Sequence, residues 1–208
     1  MVEARQGALG LYYGSPYNSS APLTIGQMQI NAEYLYHAFV DSGWTLESLC
    51  GMLGNMQVES SLNPGRWQND TVGGDPTGHG YGLVQWTPYT NYTDWAVGYG
   101  WSDPSIMDAN VSRINYEMAN GLQWIPTVAY PFTFGAFKSS TASPDYLAMA
   151  FLANYERPGD PNQPIRGVYA MNWYNYLKGL HPPTPTTIKK SKFKWVLYAR
   201  NLRNKHLT

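Results

Sequence analysis

Thr45-Leu46-Glu47-Ser48-Leu49-Cys50-Gly51-Met52-Leu53-Gly54-Asn55-Met56-Gln57-Val58-Glu59-Ser60-Ser61, closed by Asn63-Pro64-Gly65, is the stretch that organises the rest of the chain. Thr45 is a capping residue. Behind it Leu46, Leu49, Cys50, Leu53 and Met56 recur three and four apart, the apolar stripe of a helix. The Asn-Pro-Gly break stops that helix. Glu59 falls outside the stripe in the last turn, so its carboxyl faces the loop that follows.

On the N-terminal side, Thr24-Ile25-Gly26-Gln27 has the spacing of a capping box, hydroxyl at the cap and glutamine three residues on. Met28, Ala32, Leu35 and Phe39 follow at helical spacing and predict a helix over 25–40, stopped by Asp41-Ser42-Gly43. Residues 1–23 are rich in Gly, Ser, Tyr and Pro without a period and read as an arm. On the C-terminal side, residues 66–80 form a loop with Gly73, Gly74, Pro76, Gly78 and Gly80. Tyr81-Gly82-Leu83-Val84-Gln85-Trp86 reads as a short strand, ended by Thr87-Pro88. Further helices are expected at 89–98, 105–124, 143–156 and 168–179, the third opening with Ser143-Pro144, a cap followed by proline at the first helical position. The run from His181 to Thr187 has three prolines and reads as a stiff linker. The class is therefore α+β, mainly α, with a small β element, divided into an arm (1–24), a body (25–180) and a linker with a basic tail (181–208).

At 208 residues the chain suits one ordinary domain with tails. Its formal net charge is zero, yet the charge is unevenly spread. Residues 1–187 hold seven Lys/Arg against fourteen Asp/Glu, whereas 188–208 hold seven Lys/Arg and no acid. An acidic body excludes a nucleic-acid-coating protein, and no specific nucleic acid is expected as partner. The tail, which mixes its cations with Phe193, Trp195, Leu197 and Tyr198, suits an anionic wall polymer, a membrane surface or a neighbouring subunit. Charged residues are only 13% and aromatics 15%, a balance fit for a cleft of aromatic faces and neutral hydrogen-bonding groups. Cys50 is the one cysteine, so no intramolecular disulfide is available, and it reads as core. No apolar run of signal-peptide or membrane-span type is present, so neither a secretory signal nor a spanning helix is expected. Asp75 and His79 stand close together but do not make up a metal-ligand set, and no cofactor is expected.

A carboxyl at a helix end, covered by a loop and an aromatic wall, is kept protonated by desolvation, which is what a general acid for glycosidic cleavage needs. The surrounding motifs point the same way. Glu59-Ser60 is followed by Gly82-Leu83-x-Gln85 and Thr87-Pro88, an order that resembles the goose-type lysozyme and lytic transglycosylase group. Together with Phe151-Leu152-Ala153-Asn154-Tyr155-Glu156-Arg157-Pro158 and Asn162-Gln163-Pro164-x-Arg166-Gly167, the set resembles the phage tail lysozyme family over residues 28–178.

The resemblance implies a lysozyme-like fold with the β element beside the cleft, and a muramidase of a phage tail tip that opens the bacterial wall during genome entry. It implies Glu59 as catalytic acid and Tyr81, Gln85, Trp86, Asn154 and Tyr155 as substrate-binding residues. The types are apt: Gln and Asn both donate and accept, matching N-acetyl groups and hydroxyls. Glu156-Arg157 reads more readily as an ion pair holding the 156–167 loop than as a catalytic pair. A retaining enzyme needs a second carboxylate about 5–5.5 Å from the acid, and an inverting one about 6.5–9.5 Å away. Asp70 and Asp75 are the candidates that reach. Related transglycosylases use the substrate N-acetyl group instead, so hydrolysis and non-hydrolytic cleavage both stay open. The expected partners are peptidoglycan and other tail subunits, and the expected place is the virion. The rival reading is a catalytically inactive structural or wall-binding tail-tip protein of the same fold.

Overall fold

The computed structural model describes residues 1–17, 21–68 and 78–181. Among the described residues two strands, β1 (Glu3–Gly7) and β2 (Gly10–Gly14), precede seven α-helices: α1 (Ile25–Val40), α2 (Leu46–Ser60), α3 (Thr90–Gly98), α4 (Met107–Asn120), α5 (Phe134–Lys138), α6 (Pro144–Phe151) and α7 (Ile165–Leu180). The α+β, mainly α class is thus observed. Thr24 forms both halves of the capping box at α1, and Thr45 Oγ1 accepts from the Ser48 amide at the start of α2.

α2 is the axis of the molecule. Its residues from Ser48 to Met56 are buried without a gap, not along one stripe. Gly51 and Gly54 explain this. A Cβ built on Gly51 would lie 2.9 Å from the Leu147 backbone in α6, and one on Gly54 would lie 2.3 Å from the Arg166 carbonyl oxygen in α7. These two helices therefore press directly on the α2 backbone, on the side opposite the leucines. Cys50 is fully buried, and that burial pushes its thiol well above the usual range. Among the described residues no helix is long and apolar enough to cross a membrane.

Besides α5, which the sequence reading did not include, three elements differ from it most. The arm contains a hairpin, paired antiparallel from Glu3↔Gly14 to Gly7↔Gly10. It docks on the body: Tyr12 is buried edge-on against Tyr34, Asn31 pairs with the Tyr13 backbone, and Arg5 Nη1 donates to Ser105 Oγ at 2.6 Å. These partners are distant in sequence, so no local pattern announces them. Secondly, 81–86 is a tight turn and not a strand. Tyr81 and Trp86 exchange backbone hydrogen bonds at 3.2 and 3.0 Å, and Gly82 and Gln85 adopt left-handed φ values of 85° and 50°. Two left-handed residues fold the chain back before a strand can extend. Thirdly, the helix expected over 143–156 is α-helical only to Phe151. A π-helical turn, Leu152–Glu156, follows and ends at Arg157 in the left-handed region. The linker and tail from Pro182 onward lie outside the described residues.

Candidate active site

Beside the C-terminal end of α2 lies a cleft of about 390 Å³. Glu59 enters it from α2, Arg66 from the segment behind, Gln85 and Thr87 from the tight turn, and Glu156 and Pro158 from the end of the π turn. The helix end is tied down locally. Ser61 takes a left-handed cap, and the buried Ser60 Oγ lies 3.0 Å from the Met56 carbonyl and 2.9 Å from the Leu83 carbonyl, joining α2 to the tight turn. Glu59 is thereby held at the mouth of the cleft, with its side chain 21% exposed.

Arg166, in the first turn of α7, sets the carboxylate's direction. Its Nη2 donates to Glu59 Oε1 at 2.6 Å, its Nη1 to Asn55 Oδ1 at 3.1 Å, and its Nε to Gln163 Oε1 at 2.7 Å. The guanidinium is 4% exposed, so this is a shielded pair made rigid by its two side contacts. α7 begins three residues earlier than the spacing predicts, and those residues carry Arg166 into the helix facing Glu59.

Among the described residues, Glu156 is the other carboxyl lining the cleft. Its Oε1 is buried and has no hydrogen-bond partner. Burial pushes its carboxyl well above the usual range; the negative charges of Glu59 and Glu117 push the same way, while Arg166 and Arg157 oppose them. The expected Glu156–Arg157 ion pair is not formed. Arg157 Nη1 donates instead to the carbonyls of Gln123 (2.6 Å) and Asn154 (2.8 Å).

The other expected site residues divide. Gln85 lines the cleft; its Nε2 donates to the Arg66 and Gly82 carbonyls at 3.0 and 2.8 Å, which leaves Oε1 as the group it offers a ligand. Tyr81, Trp86, Asn154 and Tyr155, expected to contact substrate, are buried and are not among the described residues that line the cleft. Tyr81 packs among Tyr17, Trp67 and Tyr92. Trp86 stacks on Tyr92 at 4.3 Å, and its Nε1 donates to Glu117. Tyr155 donates its hydroxyl to the same carboxylate, and Arg113 Nε completes it at 2.8 Å. Asn154 Oδ1 accepts from the amide (3.0 Å) and hydroxyl (2.8 Å) of Thr127, and its Nδ2 donates to the Tyr130 carbonyl. The polar ends of Trp86, Asn154 and Tyr155 are paired inside the protein, whereas the buried Tyr81 hydroxyl has no hydrogen-bond partner.

Asp70 and Asp75 lie outside the described residues. His79 is described, and its carbonyl accepts from the Tyr89 amide. Among the described residues no cluster of three or more His, Cys, Asp or Glu side chains is placed to hold a metal ion. The sequence reading gave Arg166 no role and set Glu156 aside as half of an ion pair, although both stand within the family-like motifs. The available signal was a lone arginine in a Pro-x-Arg-Gly run, and a carboxyl next to a proline break.

A helix-end carboxyl clamped by an arginine, with a second carboxyl on the same cleft and Gln85, Thr87 and Arg66 beside it, is equipped for acid–base chemistry. The model of the phage tail lysozyme family matches residues 30–177. A relative from Bacillus phage B103, named morphogenesis protein 1, is 47% identical over 163 residues, which are 78% of this chain and 43% of that protein. This chain therefore spans less than half the length of that relative. With the matched region holding α2, the cleft and α7, the chain belongs to the phage tail lysozyme family.

Proposed function

We propose that the protein cleaves the glycan strand of peptidoglycan between N-acetylmuramic acid and N-acetylglucosamine, with Glu59 as the carboxyl at the scissile bond, and that it works at a phage tail tip during entry. The observation that carries this reading is the placement of Glu59: at the end of a buried helix, open to the cleft, with Arg166 fixing its direction. The cleft's groups Gln85, Thr87 and Arg66 suit sugar hydroxyls and the acetamido and lactyl carbonyl oxygens of the glycan strand. Association with other virion proteins agrees with the relative's name, morphogenesis protein 1.

The test is clearing of a purified cell-wall suspension by wild type and Glu59→Gln. Glutamine still accepts from Arg166, so the variant folds, and its turnover falls by about 10²–10⁴, the usual worth of a general acid. Mass spectrometry of the digest shows muramic-acid ends, and a 1,6-anhydro end identifies non-hydrolytic cleavage. Equal clearing by both proteins, or by neither, refutes the enzyme reading and leaves the structural or wall-binding one. Released stem peptides on intact glycan strands refute the bond assignment.

A further inference from the structure

A pocket of about 340 Å³ adjoins the cleft at Pro158, which lines both. The two spaces part at consecutive residues, for Glu156 lines the cleft and Arg157 the pocket. Apart from that guanidinium the lining is apolar or aromatic. Met149 comes from α6, Leu152 and Ala153 from the π turn, and Tyr130 and Pro161 from the loops before α5 and α7. The protein's own bonds fix this shape. Asn154 Nδ2 donates to the Tyr130 carbonyl at 2.8 Å, and the Tyr130 ring packs on Tyr146 with centroids 5.2 Å apart. Arg157 holds a left-handed φ of 50°, which a side chain of this size adopts only at a cost, and the Gln123 and Asn154 carbonyls pin its Nη1. Its Nε and Nη2 are left for a ligand. Among the described residues no carboxylate pairs with it: Asp160 accepts from the Asn162 amide at 2.9 Å, and Glu59 and Arg66 line the cleft, not this pocket.

We propose that this pocket receives the stem peptide carried by the muramic acid of the strand being cleaved, with alanine methyl groups against Met149, Leu152 and Ala153 and a peptide carboxylate on Arg157. This rests on the glycan-cleavage reading and deepens it, since the preferred substrate becomes a peptide-bearing strand and not bare glycan. Continuity with the cleft argues for that occupant. The peptide leaves muramic acid through the lactyl group, on the same ring as the scissile C1, so it exits beside the reacting sugar, and Pro158 is the wall that the two spaces share. The chemistry argues the same way. An apolar lining with one guanidinium that no carboxylate neutralises fits short alkyl side chains and an anion. A further sugar ring needs neutral donors and acceptors of the kind that Gln85 and Thr87 bring to the cleft. A preformed, mostly apolar pocket of a few hundred Å³ with one charged group to set orientation is the usual build of a small-ligand site.

The test measures kcat/KM on soluble uncross-linked strands and on the same strands stripped of peptide by an amidase. Wild type, Ala153→Phe and Arg157→Met are compared, with folding checked by near-ultraviolet circular dichroism. Wild type prefers the peptide-bearing strands by about tenfold or more. Ala153→Phe fills the pocket and Arg157→Met removes its charge, and each lowers that preference; if the phenylalanine variant does not fold, the methionine variant decides. Methyl nuclear magnetic resonance of the Glu59→Gln protein, labelled at Met, Leu and Ala, gives a readout that needs neither turnover nor a change in the pocket. The probes are a disaccharide carrying the tetrapeptide and the bare disaccharide, and only the first shifts the methyl signals of Met149, Leu152 and Ala153. Equal kcat/KM of wild type on the two kinds of strand, or methyl signals that neither probe moves, overturn the proposal while leaving the Glu59 reading intact. Equal shifts with the bare disaccharide also overturn it, making the pocket a sugar subsite. A wild type that cleaves neither strand, with methyl signals still shifted by the tetrapeptide probe alone, leaves the peptide site standing and sinks the glycan-cleavage reading.

Discussion

Gly54→Ala probes the contact on which both the fold and the cleft depend. The added methyl group would sit 2.3 Å from the Arg166 carbonyl oxygen, 2.9 Å from the Ala170 amide nitrogen and 3.0 Å from the Ala170 methyl. The two nearest atoms are backbone, so no side chain can swing aside. Ordinary contact begins near 3.5 Å, so the start of α7 has to retreat by roughly an ångström. The substitution gains about 1 kcal/mol of helix propensity and loses about 1–3 kcal/mol or more to overpacking. With a carbonyl as the obstacle the loss lies at the upper end, and a net destabilisation of about 2 kcal/mol lowers Tm by roughly 4–8 °C for a chain of this size. Activity should suffer beyond that. The displaced residue is Arg166, whose guanidinium orients Glu59 at 2.6 Å, and a misplacement of about 1 Å at a reacting group costs on the order of 10²-fold. Gly51→Ala is the control. Its methyl group meets Leu147 of α6 at 2.9 Å, away from Arg166, so it should lower Tm while leaving turnover of the folded protein much less changed. The assays are thermal unfolding by circular dichroism and wall clearing at 15 °C, where both variants are folded. A Gly54→Ala protein with wild-type Tm and wild-type clearing would show that α7 yields freely, and that its close approach is not what directs Arg166.

Two further outcomes follow from the buried groups. Glu156 has its folded-state proton affinity raised above the unfolded value of 4.5, so above pH 4.5 the unfolded chain has released a proton that the native protein still holds. Stability therefore falls as pH rises, by about 1.4 kcal/mol per pH unit, until the native group also ionises. Glu156→Gln should flatten that part of the curve and exceed wild type in urea midpoint at pH 7, and an unchanged slope would contradict a proton held there. Asn154→Ala removes the side chain that bonds both Thr127 groups and the Tyr130 carbonyl. The loss is about 1–3 kcal/mol, with faster amide exchange over 123–130, and unaltered exchange there would show that Asn154 does not anchor this loop.

Much of the helical framework is legible in the amino-acid sequence. Residues 45–61 encode a capped helix that ends at Glu59, Thr24 and Gln27 encode the cap of α1, and Ser143-Pro144 encodes the start of α6, because these are contacts between residues a few positions apart. The motif order carries the family in the same way. What a short window does not contain is which face of each residue ends up against a distant partner. Trp86, Tyr155 and Asn154 have the chemistry of sugar ligands, yet Glu117, Thr127 and Tyr130 consume their polar ends. Gly82 and Gln85 turn a strand-like run back on itself, and Tyr34, Asn31 and Ser105 convert an arm into a docked hairpin. The central pairing is the clearest case. Glu59 and Arg166 stand 107 positions apart, and they meet only because Gly54 lets α7 lie against the α2 backbone. By itself the sequence determined α1, α2 and the start of α6, and with them the position of the candidate acid, since local spacing and capping act over one or two turns. The acid's arginine, and the buried carboxyl that shares its cleft, were decided by close packing between elements far apart in the chain.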